Sequence, residues 1–252
     1  MESAEKSLQR LRERIEIACR NCGRDIREIT LIGASKAVSS EKLREFHAAG
    51  LRAVGENYVQ EATRKQREIA QDESVDSSTR CAFDWHFIGA LQSNKACEIV
   101  GKFVLIHSVD RTRLAQALSD EARKKNVVQA ILLQVNLGDE ASKAGCAIDE
   151  LPALWNFCAE LPGLKVRGLM CLPPASQDAE QSRVYFRRMR ELREQMRASS
   201  TRLSSDDLSY DDSSDDDFGG ELSMGMSGDY AVAIEEGATM IRVGTALFGA
   251  RV

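Results

Sequence analysis

The strongest constraint on the fold is an alternation. Eight short apolar runs recur along the 252 residues, at Ile29–Ser35, Arg52–Gly55, Phe83–Ile88, Phe103–His107, Val127–Val135, Leu164–Met170, Glu221–Met224 and Thr239–Val243. Between them lie stretches with the three-to-four spacing of amphipathic helices, among them Glu41–Ala49, Tyr58–Ala70, Arg111–Lys125, Ala179–Arg197 and Asp229–Glu236. A helix over about Ala4–Cys22 precedes the first run, with Leu8, Leu11, Ile15 and Ala18 on its apolar face and Gly23 as its stop. Runs that are apolar throughout fit parallel strands covered by helices on both faces. The pattern predicts an α/β fold, a single-domain (β/α)8 TIM-like barrel with an extra N-terminal helix. A dinucleotide-binding sheet would want GxGxxG after its first strand, and the turn here reads Gly33-Ala-Ser-Lys-Ala-Val. There is no repeat at solenoid period and no linker that demands a second domain, so residues 1–252 read as one domain.

Charge and composition exclude several classes. Net charge is -5, but the stretch Ser204–Glu221 holds eight of the acids and no Lys or Arg. Without it the balance turns mildly positive, too weakly to argue for nucleic acid, and no nucleic-acid motif accompanies it. The Ser/Asp-rich stretch itself, 204–219, reads as a disordered acidic loop. No apolar run approaches the roughly 18–20 residues that cross a bilayer. The start, Met1-Glu-Ser-Ala-Glu-Lys, lacks the pattern of a secretory leader. Of seven cysteines, Cys19 and Cys22 stand three apart on a helical pattern, where packing or a free thiol explains them, and no Cys/His cluster has metal spacing. The expectation is a reduced, cytoplasmic protein without membrane, nucleic-acid or metal partners, and a monomer or weak dimer.

In such a barrel the chemistry sits at the C-terminal ends of the strands. After the seventh run comes Met224-Gly-Met-Ser-Gly-Asp229, where Ser227 is a natural helix cap and Gly228 permits close approach to a ligand. After the eighth come Gly244 and Thr245 at the start of another short helix. Capping and turning would explain either loop alone; two on adjacent strands suit a phosphate held by helix N-termini. Lys36, at the end of the first run and beside the eighth in a closed barrel, is a counter-charge, a Schiff-base amine or a snorkelling side chain. Asn57 and Tyr58 stand where polar groups would reach a bound ring, unless Asn57 only caps the next helix. His86 lies inside an apolar run and reads as a satisfied core histidine, and Ser93 as a helix cap. Arg242, inside the eighth run, must pair with a barrel acid or meet a ligand.

Ala34-Ser-Lys, Gly55-Glu-Asn-Tyr-Val-Gln-Glu, His86-Phe-Ile-Gly-Ala-Leu-Gln-Ser-Asn-Lys95, Leu222-Ser-Met-Gly-Met-Ser227 and Ile241-Arg-Val-Gly-Thr-Ala-Leu-Phe-Gly-Ala-Arg251 together resemble the pyridoxal phosphate homeostasis protein family (the YggS/PROSC type). The resemblance covers nearly the whole chain. It implies a fold-type III barrel similar to the N-terminal barrel domain of alanine racemase, holding pyridoxal 5′-phosphate (PLP) as a lysine aldimine. It makes Lys36 the Schiff-base lysine, Ser227, Gly228, Gly244 and Thr245 the phosphate cradle, and Asn57 a ring-side contact. Arg242 would approach the pyridine nitrogen or the phosphate, and Met224 and Met226 would pack near the cofactor or in the core. Many relatives carry a second lysine and then a proline where this chain has Val38 and Ser39, so a role for that second lysine is not expected here.

The related racemases draw a second base, a tyrosine, from a β-domain of the partner subunit. This chain ends at Val252, directly after the eighth run's loop. A cationic Arg242 at the pyridine nitrogen would also weaken the ring as an electron sink. The expectation is a non-catalytic carrier or regulator in intracellular PLP (vitamin B6) homeostasis and amino-acid balance, with PLP-dependent apo-enzymes as recipients. The alternative is a weak PLP-dependent amino-acid racemase.

Overall fold

The structure, a computed structural model, describes residues 2–71, 82–138, 144–174, 176–204 and 220–249. Eight parallel strands close into a barrel in sequence order: β1 Thr30–Ala34, β2 Ala53–Glu56, β3 Asp84–Phe87, β4 Leu105–Val109, β5 Gln129–Val135, β6 Leu164–Cys171, β7 Glu221–Ser223 and β8 Met240–Val243. Each expected apolar run supplies one strand. The largest slip is at β4, which begins two residues late because Phe103 packs edge-on against Phe87 below the strand.

Helices α1 Ala4–Asn21, α2 Ser40–Ala48, α3 Val59–Ala70, α4 Ala96–Ile99, α5 Thr112–Lys125, α6 Leu151–Ala159, α7 Arg183–Ser204, α8 Tyr230–Glu235 and α9 Thr245–Phe248 surround it. Helix α6 is absent from the amphipathic pattern because it is apolar almost all round and carries Pro152 in its first turn. The helix after β8 has only four residues, and α1 fills the gap by packing on α2, α8 and α9. Its Leu8, Leu11, Ile15 and Ala18 are buried, as their spacing requires, and its Ser7 hydroxyl donates to the Leu247 carbonyl at 2.6 Å. The acidic stretch read as a disordered loop lies outside the described residues, apart from Ser204 at the end of α7. No helix among the described residues is long and apolar enough to cross a membrane.

The core divides in two. The larger part lies between barrel and helices; the smaller contains only strand residues, Ile32, Ala53, Leu105, Leu132, Met170 and Met240, and fills the lumen. Alternation along each strand then assigns the remaining inward positions. His107 follows Leu105 by two and Arg242 follows Met240 by two, so both face the lumen. On β1 the parity of Ile32 carries through Ala34 to Lys36, while Ser35 faces the helices.

One irregularity shapes the lower wall. Ile131 of β5 pairs with Val166 of β6, but the next residue, Leu132, pairs with Gly168. Arg167 is the extra residue of a bulge, a feature that re-aims a side chain. Gly168 has φ 153°, and a Cβ there would lie 2.0 Å from the Glu221 carbonyl oxygen. Only glycine lets β6 and β7 approach so closely after the bulge.

Candidate functional site

Lys36 stands half-buried just beyond β1, held by a buried ionic cluster behind the barrel wall. The Lys65 ammonium, on α3, donates to the Ser35 carbonyl at 2.6 Å, to Glu56 Oε1 at 2.6 Å and to Glu61 Oε1 at 2.8 Å. Glu61 Oε1 also accepts the Ala37 N–H at 2.8 Å. The two peptide groups flanking Lys36 are therefore both tied to the same cluster. Ala37 is held at φ 62°, a left-handed conformation costly for a residue with a Cβ. Lys65 and Glu56 are both 0% exposed, so each charge is tolerable only because the other is present. Burial pushes the Glu56 carboxyl up against the opposing pull of Lys65 and Ser35. Burial also raises Glu61, but its bonds from Lys65 and the Ala37 N–H outweigh this and hold it below the ordinary range.

The Lys36 amine turns toward the loop after β2. It donates to the Tyr58 hydroxyl at 3.3 Å and lies 5.1 Å from the centre of that ring, which is 53% exposed. Asn57 is half-buried and does not cap α3: the capping position is Tyr58, and no side chain bonds there. The Asn57 backbone instead presses on the loop after β3, where a Cβ on Gly89 would lie 2.1 Å from the Asn57 carbonyl oxygen. Val38 packs against the core and the Ser39 hydroxyl caps α2 by accepting the Lys42 N–H, so the two positions that leave the family pattern have structural work here.

The loops after β7 and β8 are stitched together by one hydroxyl. Ser227 Oγ accepts the N–H groups of Gly244 at 3.2 Å and Ala246 at 3.3 Å. It thus caps α9, on the neighbouring strand's loop, whereas α8 begins after Asp229. The N–H groups of Ser227, Gly228 and Thr245 donate to nothing among the described residues. Gly228 faces open space, and a Cβ on Gly244 would sit 3.5 Å from the Ala34 carbonyl oxygen, beside the end of β1. Lys36, Ser227, Gly228, Gly244 and Thr245 accordingly share one side of the mouth. Donors without acceptors at two helix starts are chemically suited to a phosphate. Met224 is fully buried and Met226 is exposed, so the first is a core residue.

Arg242 lies deeper, opposite Ile32 in the β1–β8 register. It is 3% exposed, and no carboxylate among the described residues comes within ion-pairing distance. Its guanidinium donates to Ser223 Oγ and, at 2.8 Å, to the Cys171 carbonyl. Burial lowers its pKa and pushes the neighbouring Cys171 thiol up to about 12.

Beyond Ser223 a polar string crosses the lumen. Ser223 Oγ lies 2.8 Å from His107 Nδ1, and His107 Nε2 lies 2.9 Å from His86 Nδ1. Burial holds His86 down at about 4 and His107 well below its usual value, aided there by His86 and Arg242. Both rings are neutral at pH 7. Because Ser223 Oγ accepts from Arg242, its own proton is satisfied only by donating to His107 Nδ1. His107 then carries its proton on Nε2 and gives it to His86 Nδ1, which leaves the His86 proton on Nε2.

His86 is buried in the barrel as its setting implied, but it is bonded through Nδ1 only, so the expected satisfied histidine is met in part. Ser93, by contrast, is the first residue of a 3-10 turn (Ser93–Lys95) whose capping position is Gln92, and it caps nothing among the described residues. Glu56, Glu61, Lys65, His107 and Ser223 join the site only in the structure. A signal existed for the first three: a glutamate inside an apolar strand, followed by an i,i+4 acid–base pair on the next helix.

Residues 7–252 match the family described as alanine racemase, N-terminal domain. The pyridoxal phosphate homeostasis protein of Aquifex aeolicus (strain VF5) is 43% identical over 97% of this chain and 96% of its own length. That of Pseudomonas aeruginosa (strain PAO1) is 41% identical over 100% of this chain and 97% of its own. Among solved structures, PipY of Synechococcus elongatus PCC7942 with PLP bound superposes with a TM-score of 0.79 at 33% identity, covering 98% of this chain and 100% of PipY.

Proposed function

This chain belongs to the alanine racemase N-terminal domain family, and from that premise we propose that it binds pyridoxal 5′-phosphate through a Schiff base to Lys36 and serves as a carrier in PLP homeostasis. The observation that carries the reading is an amine fixed by its backbone beside two loops whose N–H groups lack acceptors among the described residues. Ser227, Gly228, Gly244 and Thr245 would hold the phosphate, and Asn57 would lie beside the ring. Arg242, a buried cation with no acid partner among the described residues, would present its remaining N–H groups to the cofactor from below. When bound, the cofactor supplies an aldehyde that condenses with an amine, water leaving. The chain's own part is to orient that amine and neutralise the phosphate.

A carrier must also release its load. Lys36 is half-buried and its neighbour Tyr58 is exposed, which favours exchange with solvent over a sealed site where an intermediate is kept from water. The names of the relatives support the same reading. We therefore assign it no strong catalytic activity, and PLP-dependent apo-enzymes are the recipients the proposal names. Mixing the protein with PLP should give a visible absorbance band, and borohydride should fix one cofactor on Lys36, read by peptide mass. A Lys36→Ala protein that trapped the same adduct at the same stoichiometry would refute the assignment. Amino-acid racemisation by the loaded protein that Lys36→Ala abolishes, read by chiral chromatography, would overturn the carrier role.

A further inference from the structure

The end of the barrel opposite Lys36 holds a cavity of about 340 Å³, lined by His86, Leu105, Lys165, Arg167, Glu221 and Met240 among others. Its walls come from His86 of β3 and the starts of β4 to β8, so it lies beneath the lumen and away from the mouth. Three features set it apart from a packing defect. The β6 bulge places Arg167 on its wall, and this half-buried guanidinium has no hydrogen-bond or ion-pair partner among the described residues. Lys165 adds a second cation two residues away. His86, 5% exposed, is committed through Nδ1 alone, and its Nε2 has no partner among the described residues yet is not among the sealed, unsatisfied atoms. The polarity of the lumen string puts a proton on that Nε2.

The geometry points to a small-oxyanion site in the floor of the barrel, with Arg167, Lys165 and the His86 Nε2–H as donors. Its ligand is a compact phosphate- or carboxylate-type anion. Glu221 stands on the same wall, its Oε2 accepting from the Thr239 hydroxyl, and limits the net charge of the site to about that of one cation. Through His107 and Ser223 the site connects to Arg242, so occupancy below is felt by the cation at the upper end of the string. The assignment does not depend on what the mouth binds.

The chain has three histidines, which makes the test direct. Full-length protein with isotope-labelled histidine is titrated with inorganic phosphate at constant ionic strength while the imidazole signals are followed by NMR. His86 and His107 should move together and saturate. His47, which bonds the Ala82 carbonyl on the surface, should not. Arg167→Gln should weaken binding about tenfold or more, the scale of a lost charge-assisted hydrogen bond. Glu221→Gln keeps an acceptor for Thr239, removes the like charge and should tighten binding severalfold. Shifts that do not saturate would overturn the site. So would binding that Arg167→Gln leaves unchanged, since the phosphate would then be at the mouth. Acetate in place of phosphate separates carboxylate from phosphate ligands.

Discussion

Two buried polar networks flank the barrel wall, and they are built on opposite principles. Behind the wall, Lys65, Glu56 and Glu61 form an ionic cluster in which all three ammonium protons are spent. Inside the lumen, His86, His107 and Ser223 form a neutral string ending on one cation. The cluster fixes backbone: it ties down the peptides on both sides of Lys36, including a strained one. The string fixes proton positions: each member determines which nitrogen of the next is protonated. A charge cluster is rigid because breaking any contact exposes an unpaired charge. A neutral string is cheaper to bury, and Arg242 at its end sets the direction in which every proton points.

The largest effect should come from breaking the ionic cluster. Lys65→Met leaves the fully buried Glu56 carboxylate without its counter-charge and beside Glu61, and should cost about 3–5 kcal/mol of unfolding free energy in urea. Adding Glu56→Leu should recover part of the loss, because the remaining acid, Glu61, is partly exposed. A loss under about 1 kcal/mol for Lys65→Met would mean that the cluster does not hold the Lys36 turn.

The lumen string should respond to pH. His86 titrates at about 4 when folded and near 6.5 when unfolded, so the unfolded chain binds more protons between those values. Its contribution is complete above about pH 6.5, and stability is lost as pH falls toward 4. The full span is about 3 kcal/mol, and His107 acts in the same direction. Urea midpoints from pH 7 to 4.5 should therefore fall more steeply in the wild type than in His86→Gln. Parallel profiles would show that His86 is not buried in its neutral form.

What the sequence discloses follows the same division. The barrel was legible because eight apolar runs at helix-sized intervals have few other ways to be buried. Lys36 was legible because a polar residue just past such a run must lie at the mouth. Partnerships were not. Ser227 looks like a cap for the helix beginning three residues later, yet it caps α9 across the β7–β8 seam. Only barrel closure brings Gly244 to it. Likewise His107 meets Ser223 across 116 positions of sequence, a separation that no local pattern can encode. Arg242 drew attention as a buried charge, but the reading that gave it a barrel acid fails: its acceptors are a hydroxyl and a carbonyl.

Ser227 offers a smaller test that spans the seam. Ser227→Ala removes the acceptor for two N–H groups at the start of α9 and should cost about 1 kcal/mol, the usual loss on deleting a helix cap. If the same hydroxyl also faces the phosphate, PLP release should quicken beyond what this destabilisation explains. Stopped-flow transfer to an apo-enzyme would measure that. An unchanged release rate would confine Ser227 to capping.

The smallest effect on stability should come from the residue on which the proposed function turns. Lys36 is half-buried, and its side chain makes one long hydrogen bond to an exposed tyrosine and a contact with that ring. The cluster behind the wall grips its backbone and leaves its side chain alone. Lys36→Ala should therefore change the unfolding free energy in urea by no more than about 0.5 kcal/mol while abolishing covalent capture of the cofactor. Lys65→Met should do the reverse in kind: the amine remains, but the turn that presents it is loosened, so capture should slow while the adduct still forms. If Lys36→Ala proved as destabilising as Lys65→Met, the amine would be part of the scaffold, and the separation between a fixed backbone and a free nucleophile would fail.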